Sequence, residues 1–260
     1  MNLLRLLPGR DNVWEDRSVV RKYERAQALL PEEAMLIELL DDRLAGMEML
    51  DLGVGAGRTA YHFAPKVKRY VGTDISQAMI DACAKTFGSE PKASFGLCDV
   101  REMDYPDGSF DLVLFSFNGL DCITHEERLK GLREVHRVLR PGGLYFFSAH
   151  NLGSIPKFVE IDRSKPKRFL RTLRKSIRFK LNNPGIDLTG KEGEHRMVKD
   201  GVHSFRLTLY YIRPSAQVDQ LRDAGFVEVE AFDHRLRPLS RDEMDDSPDI
   251  WLHYLCRKPD

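Results

Sequence analysis

At 260 residues, with 42% hydrophobic and 31% charged side chains, the chain has room for one large α/β domain carrying an insertion, or for two small domains, and its composition excludes wholesale disorder. Lys and Arg balance Asp and Glu at 40 each, so no global field draws in nucleic acid or membrane, and any such preference must come from a local patch. No stretch approaches the roughly 18 consecutive apolar residues of a membrane span. The opening segment 1–8 is too short and too interrupted to read as a signal peptide. Cys83, Cys98, Cys122 and Cys256 are scattered, with no CxxC pair, which predicts free thiols in a reducing cytoplasm and no metal site.

In chain order, residues 13–30 carry an Arg-rich pattern ending at Pro31. Residues 32–44 then place Met35, Leu36, Leu39, Leu40 and Leu44 on one helical stripe, so 1–45 is expected to form a helical N-terminal cover. From there the texture alternates between short strands and helices. The apolar run 47–52 stops at a glycine cluster and reads as a first strand, followed by a helix at 58–64 that Pro65 ends. A second strand at 69–75 leads to Ser76, which caps a helix whose Met79, Ile80 and Cys83 face inward. Strands at 93–98 and 110–117 come next, then a helix at 125–139 stopped by Arg140-Pro141-Gly142-Gly143, and a fifth strand at 144–149. A helix at 215–224, closed by Gly225, precedes two runs, 226–232 and 251–257, that can pair antiparallel. Strands that are apolar on both faces and alternate with helices predict a mostly parallel sheet. Its body would span 46–150 and 213–260, with 151–212 as a helical and strand-containing insertion after the fifth strand.

Ligands of a doubly wound sheet bind beyond the carboxyl ends of its strands, where the strand order reverses. The first strand-to-helix turn, Asp51-Leu52-Gly53-Val54-Gly55-Ala56-Gly57, is therefore the most informative segment. Its three glycines permit unusual backbone angles and let a ligand approach the main chain. Asp74 ends the second strand 17 residues after Gly57, where a carboxylate can accept from both hydroxyls of a ribose. A dinucleotide fingerprint would require glycine at position 58, and this chain has Arg58, which disfavours a nicotinamide-dependent oxidoreductase.

MLDLGVGAGR (49–58) resembles motif I of the class I S-adenosylmethionine-dependent methyltransferases. YVGTDIS (70–76), CDVREM (98–103) and FDLVLFSF (110–117) are similar to their second, third and fourth motifs. EVHRVLRPGG (134–143) resembles the passage into the fifth strand of many small-molecule members, and LRDAGF (221–226) extends the likeness. The resemblance implies a Rossmann-like α/β fold with a seven-stranded, mostly parallel sheet, S-adenosylmethionine as cofactor and S-adenosylhomocysteine as product. It further implies that Gly53, Gly55 and Gly57 pack their backbone against the methionine and ribose, and that Asp51 contributes near the methionine amino group. Asp74 would hold the ribose hydroxyls, Ile75 and Met79 would line the adenine, and Asp99, beside Val100, would accept from the adenine amino group. Ser116 and Phe117 would lie by the methionine chain and the transferable methyl, with Tyr23 folded over the cofactor.

Methyl transfer from a sulfonium is an in-line displacement. Positioning alone can lower its barrier by roughly 7–11 kcal/mol, and a general base typically adds about 10²–10⁴-fold. His150, Asp121 and Tyr211 are the foremost candidates for catalytic roles, with Asn151, His125 and Tyr210 behind them. The fourth motif, Ser116-Phe117-Asn118-Gly119, lacks the N/D-P-P-Y/F pattern of enzymes acting on DNA bases or protein glutamine, and Phe115, Phe117 and Leu120 suggest a partly apolar pocket for a small molecule. Segment 157–180 holds ten Lys or Arg against Glu160 and Asp162. Within it Phe169, Leu170, Leu173, Ile177 and Leu181 form one helical stripe among Arg168, Arg171, Arg174, Lys175 and Arg178. A lid helix that packs this stripe is the plain expectation; recognition of an anionic acceptor, of RNA or of an anionic membrane surface is the sharper one. The chain is thus expected to methylate an oxygen or nitrogen of a small, anionic metabolite. A tRNA methyltransferase, a nicotinamide-dependent oxidoreductase and a non-catalytic S-adenosylmethionine-binding protein stand as alternatives.

Overall fold

The computed structural model describes residues 13–260, and segment 1–8 lies outside them. Two helices come first, α1 (Arg17–Arg25) and α2 (Pro31–Leu40), the latter opening on Pro31, whose missing N–H is harmless in a first helical turn. There follow β1 (Glu48–Leu52), α3 (Ala60–Phe63), β2 (Arg69–Asp74), α4 (Gln77–Phe87), β3 (Ala93–Leu97), β4 (Phe110–Phe115), α5 (His125–Val138) and β5 (Leu139–Asn151). The chain then forms α6 (Pro156–Val159), α7 (Pro166–Asn182), β6 (His195–Val198), β7 (Leu209–Ile212), α8 (Pro214–Asp223), β8 (Val227–Phe232), β9 (Pro238–Leu239), α9 (Arg241–Met244) and β10 (Trp251–Arg257).

The sheet runs in the order β3-β2-β1-β4-β5-β10-β8-β9, and the β6–β7 pair joins it at the end of β5. β1 lies parallel to β2 and β4, β2 to β3, and β4 to β5, while β10 pairs antiparallel with both β5 and β8. The strand order therefore reverses between β1 and β4. The seven strands expected are all present, and the short β6, β7 and β9 raise the number in the sheet to ten.

β1, β2 and β4 are almost continuously buried because helices cover both faces of the sheet. Successive residues of a strand point to opposite faces. Leu50, Val113 and Phe147 accordingly meet Leu132, Val135 and Val138 of α5 and Leu221 of α8. Their neighbours Met49, Leu112, Leu114 and Phe146 meet Leu36 and Leu40 of α2, Phe63 of α3 and Phe87 of α4. A third cluster roofs one end of the sheet, where Val19 and Val20 of α1 and Met79 of α4 join Phe158, Phe179, Val198 and Tyr211.

Three boundaries differ from expectation. The helix expected over 32–44 ends at Leu40 and tightens into a 3-10 turn through Gly46, leaving Leu39 exposed. The fourth strand stops at Phe115, because Phe117 and Asn118 adopt left-handed backbone angles with φ of 57° and 60°, so Ser116 and Phe117 belong to the following loop. β5 begins directly after α5, and its pairing with β4 is irregular between Phe110 and Leu112 opposite the Pro-Gly-Gly segment.

A buried ion pair ties the N-terminal helices to the glycine turn. Glu33 of α2 is fully buried, and both its carboxylate oxygens accept from the Arg58 guanidinium, at 2.5 and 2.7 Å. The Ser116 hydroxyl donates to the same carboxylate at 2.5 Å. Removing one partner leaves a buried charge uncompensated, so Glu33→Leu or Arg58→Met alone should cost about 3–5 kcal/mol in urea unfolding. The double variant should be no worse than the more damaging single one; strictly additive losses would show that the two side chains act independently.

Candidate active site

The turn after β1 is shaped by three glycines with positive φ, Gly53 (62°), Gly55 (56°) and Gly57 (88°). A Cβ on Gly53 would stand 2.7 Å from the Phe115 ring, and one on Gly55 3.2 Å from the Tyr23 ring. The first would force Phe115 aside and the second would press Tyr23 back by a few tenths of an ångström, both on backbone that favours glycine. The turn is pinned to the end of β2. Val54 donates its N–H to the Thr73 carbonyl at 2.9 Å, and Gly55 donates to the Asp74 carboxylate at 3.0 Å. The other Asp74 oxygen accepts from the Ser76 N–H at 2.9 Å. Burial raises the Asp74 carboxyl above its ordinary range, opposed by these two backbone bonds. A carboxylate offers roughly four lone-pair sites, so Asp74 retains acceptor capacity for a diol.

Beyond the ends of the central strands lies a cavity of about 490 Å³. Ten of the twelve residues expected around the cofactor line it: Tyr23, Gly53, Gly55, Asp74, Ile75, Met79, Asp99, Val100, Ser116 and Phe117. Asp51 and Gly57 do not. Asp51 is buried behind the turn, accepting from the Thr59 hydroxyl and from the Tyr70 hydroxyl at 2.5 Å. Burial lifts its carboxyl to about 7 against these two bonds. Gly57 instead faces α4, where a Cβ would come within 2.4 Å of the Phe87 ring. Asp99 reaches the wall already engaged: Arg101 Nε lies 2.9 Å from both its oxygens, and the Arg101 N–H caps it at 2.9 Å. A diol acceptor at Asp74, an apolar slot at Ile75, Met79 and Val100, and a backbone-lined turn together fit S-adenosylmethionine.

A second cavity of about 730 Å³ opens beneath α7. Lys167, Arg171, Arg174, Lys175 and Arg178 form its cationic side, and Phe158, Phe205, Trp251, Asp200 and His150 contribute the remainder. Trp251, which starts β10, lies beside His150 through strand register and meets the Phe117 ring edge-on at 6.3 Å. Phe117 lines the first cavity and Trp251 the second, so the two spaces approach each other at this ring pair.

His150 is held from behind. Asp121 Oδ2 lies 2.7 Å from His150 Nδ1 and also accepts the His150 backbone N–H at 2.7 Å. The other Asp121 oxygen accepts from Arg128 at 2.5 Å, and Arg128 donates onward to Gln217 Oε1 at 2.5 Å. Asp121 and Arg128 are both fully buried. With Nδ1–H donating to a carboxylate, Nε2 is the acceptor nitrogen, and its neighbour is Asn118 Nδ2 at 3.5 Å.

The other candidates occupy different surroundings. Tyr211 stacks its ring on His150 at 4.6 Å, but its hydroxyl donates to Asp200 at 3.0 Å. Burial and that carboxylate push the phenol well up, which suits support of the imidazole and not proton abstraction. The Tyr210 hydroxyl sits between His125 Nδ1 (2.8 Å) and Gln220 Nε2 (3.0 Å), with its ring in the core. Asn151 donates to the carbonyls of Ser247 and Asp249, at 2.9 and 3.0 Å, and so fixes the loop before β10. Arg128, Asp200 and Trp251 were missed in the sequence. Arg128 left a trace there, as a cation in register with the buried Leu132, Val135 and Val138 of one helix face. Asp200 and Trp251 left none.

Two outcomes follow from these carboxylates. Asp74→Asn should weaken S-adenosylhomocysteine binding about tenfold or more in calorimetry, since one ribose hydroxyl then faces an N–H₂ donor; unchanged affinity would remove Asp74 from the site. The folded value of Asp51, about 7, exceeds the ordinary value near 4, so its stability contribution is complete below about pH 4 and is lost as pH rises through 7. The wild type should therefore lose stability relative to Asp51→Asn between about pH 4 and 7 in paired urea titrations, with the difference level above about pH 7. Buried His253, pushed down to about 4 by desolvation, acts with the opposite sign but is common to both proteins and cancels in the difference. A pH-independent difference would refute the assignment.

Residues 49–143 match the family described as methyltransferase domain. Ajmaline N-methyltransferase of Rauvolfia serpentina is 31% identical over 160 residues, covering 55% of this chain and 54% of that protein. A demethylmenaquinone methyltransferase of Clavibacter sepedonicus is 34% identical over 100 residues, covering 38% and 40%. The chain spans about half the length of the curated relatives it matches. The crystal structure of an S-adenosylmethionine-dependent methyltransferase from Mesorhizobium loti shares the fold, with a TM-score of 0.61 at 19% identity over 87% of this chain and 97% of that one. The matched segment runs from the glycine turn to the start of β5, the stretch that builds most of the first cavity, and within it the chain carries a methyltransferase domain in the class I, S-adenosylmethionine-dependent fold.

Proposed function

We propose that this protein transfers a methyl group from S-adenosylmethionine to an oxygen or nitrogen of a small, anionic acceptor seated in the cavity beneath α7. The observation that carries the proposal is the position of His150, on the wall of that cavity and hydrogen-bonded through Nδ1 to a buried carboxylate. Bound in the first cavity, S-adenosylmethionine supplies an electrophilic methyl on a sulfonium. Asp74 and the glycine turn fix the donor's ribose, and Phe117 with Trp251 borders the passage between the two cavities. His150 Nε2 would take the proton that the acceptor's O–H or N–H gives up as its lone pair forms the new bond to carbon, while the sulfur–methyl bond breaks and its electron pair stays on the sulfur of S-adenosylhomocysteine. Asp121 is a positioning residue: it holds the tautomer in which Nε2 carries the lone pair, and it offsets the positive charge that develops on the ring, with Asn118 Nδ2 beside Nε2 giving way to the acceptor. Tyr211, stacked on the imidazole, is a second one.

Segment 151–212 then serves as the cover over the acceptor, its Arg171, Arg174 and Arg178 facing the acceptor's anionic group. Two relatives are named for ajmaline and demethylmenaquinone as acceptors, which supports a small-molecule acceptor. The four cysteines are free, in keeping with a reducing cytoplasm.

The test is formation of S-adenosylhomocysteine with matched pairs of small phenols and amines, each with and without a carboxylate or phosphate, and with tRNA as a comparison acceptor. Turnover should require an acceptor and favour the charged member of a pair. His150→Gln should lower kcat about 10²–10⁴-fold with S-adenosylhomocysteine affinity unchanged. A wild-type rate in that variant would exclude His150 as the base. Methylation of tRNA alone would replace the acceptor class, and cofactor binding without turnover for every acceptor would favour a non-catalytic role.

A further inference from the structure

α7 presents three faces with three different environments. Ser176 and Phe179 are the residues it buries, with Phe179 stacked on Phe158 at 5.0 Å. Arg171, Arg174 and Arg178 line the acceptor-side cavity. The third face carries the apolar stripe, and it is not packed: Phe169 is 39%, Ile177 48% and Leu181 76% exposed, while Leu170, at its border, lines the cavity. The lid helix expected from the sequence would have buried these side chains, so the packing of the domain does not account for them. Over 17 residues the helix is about 25 Å long, enough for a continuous apolar ridge.

The charges beside the ridge say what covers it. α7 holds seven Lys or Arg and no acidic residue in a chain whose formal net charge is zero, so the rest of the chain is net acidic. Among the described residues, Arg168 is the α7 cation with a carboxylate partner, Asp162 at 3.5 Å. A second copy of this face would set cations against cations and is disfavoured. An apolar phase bordered by fixed anions satisfies both the ridge and its flanks.

We propose that α7 seats this protein on the surface of an anionic lipid bilayer, lying in the interface plane with Ile177 and Leu181 below the headgroups, Lys180 among them, and the cations that border the open acceptor-side cavity turned toward the same surface. Among the described residues no helix is long and apolar enough to cross a membrane, so the attachment is peripheral. The acidic remainder of the chain points away from the anionic surface, which fixes the orientation. The inference rests on the exposed face alone and not on the methyl-transfer reading.

The full chain is sedimented with vesicles of phosphatidylcholine and of phosphatidylcholine mixed with phosphatidylglycerol. It should pellet with the mixed vesicles, remain in solution with phosphatidylcholine alone, and be partly released by salt. The exposed-site double variant Ile177→Asp/Leu181→Asp should lose about tenfold or more of this binding while its S-adenosylhomocysteine affinity, measured in parallel, stays at the wild-type value. Failure to bind mixed vesicles, equal binding to phosphatidylcholine, or binding undiminished in the double variant would each overturn the proposal. So would retention of tRNA in place of vesicles, which would assign the cations to a nucleic-acid backbone.

Discussion

One buried carboxylate organises the acceptor side of this molecule. Asp121 accepts from the His150 ring, from the His150 backbone and from Arg128, and through Arg128 it reaches Gln217 on α8. These contacts join the loop after β4, helix α5, the end of β5 and helix α8 in one network with no exposure to water for its central pair. A desolvated ion pair gains little net stability over apolar packing, so its value here lies in geometry. The loop after β4 turns through the left-handed Phe117 and Asn118 and then delivers Asp121 beneath His150. That backbone conformation is strained for a non-glycine residue, and it occurs where the two cavities meet.

The cofactor side depends on different physics. There the backbone, more than the side chains, makes the surface: two glycines whose missing Cβ atoms leave room for Phe115 and Tyr23, and backbone N–H groups that fix the Asp74 carboxylate. The Glu33–Arg58 pair locks α2 against the far side of the same turn, with Ser116 completing it. Arg58, the residue that breaks the dinucleotide fingerprint, is therefore the one that fastens the N-terminal helices to the glycine turn.

The fold was legible because its signals are local. A strand buried on both faces must read as an apolar run, and Leu50, Val113 and Leu114 do so; a glycine turn must carry glycine, and Gly53 and Gly55 do. Asp74 was legible because strand end, turn and carboxylate lie close in sequence. What could not be read depends on long-range pairing. Trp251 reaches His150 through strand register across a separation of 101 positions, and nothing near either residue announces it. Tyr211 has a reactive group by type, but its partner Asp200 is set by how β7 meets the loop before it. The amphipathic pattern of α7 was plain, yet periodicity cannot say whether an apolar stripe faces protein or solvent. In this case it faces solvent.

The order of strands in space also sets an order in time. β10 is the last strand of the sheet in the sequence, yet it lies inside it, between β5 and β8. As the chain emerges during synthesis, residues up to Asn151 can close the parallel half with its glycine turn, while one edge of β5 stays open until Trp251–Arg257 arrives. An open edge of this kind is a template for pairing with another chain. The donor half of the molecule can thus assemble early, whereas the wall that Trp251 contributes waits for the final strand to be threaded between two others.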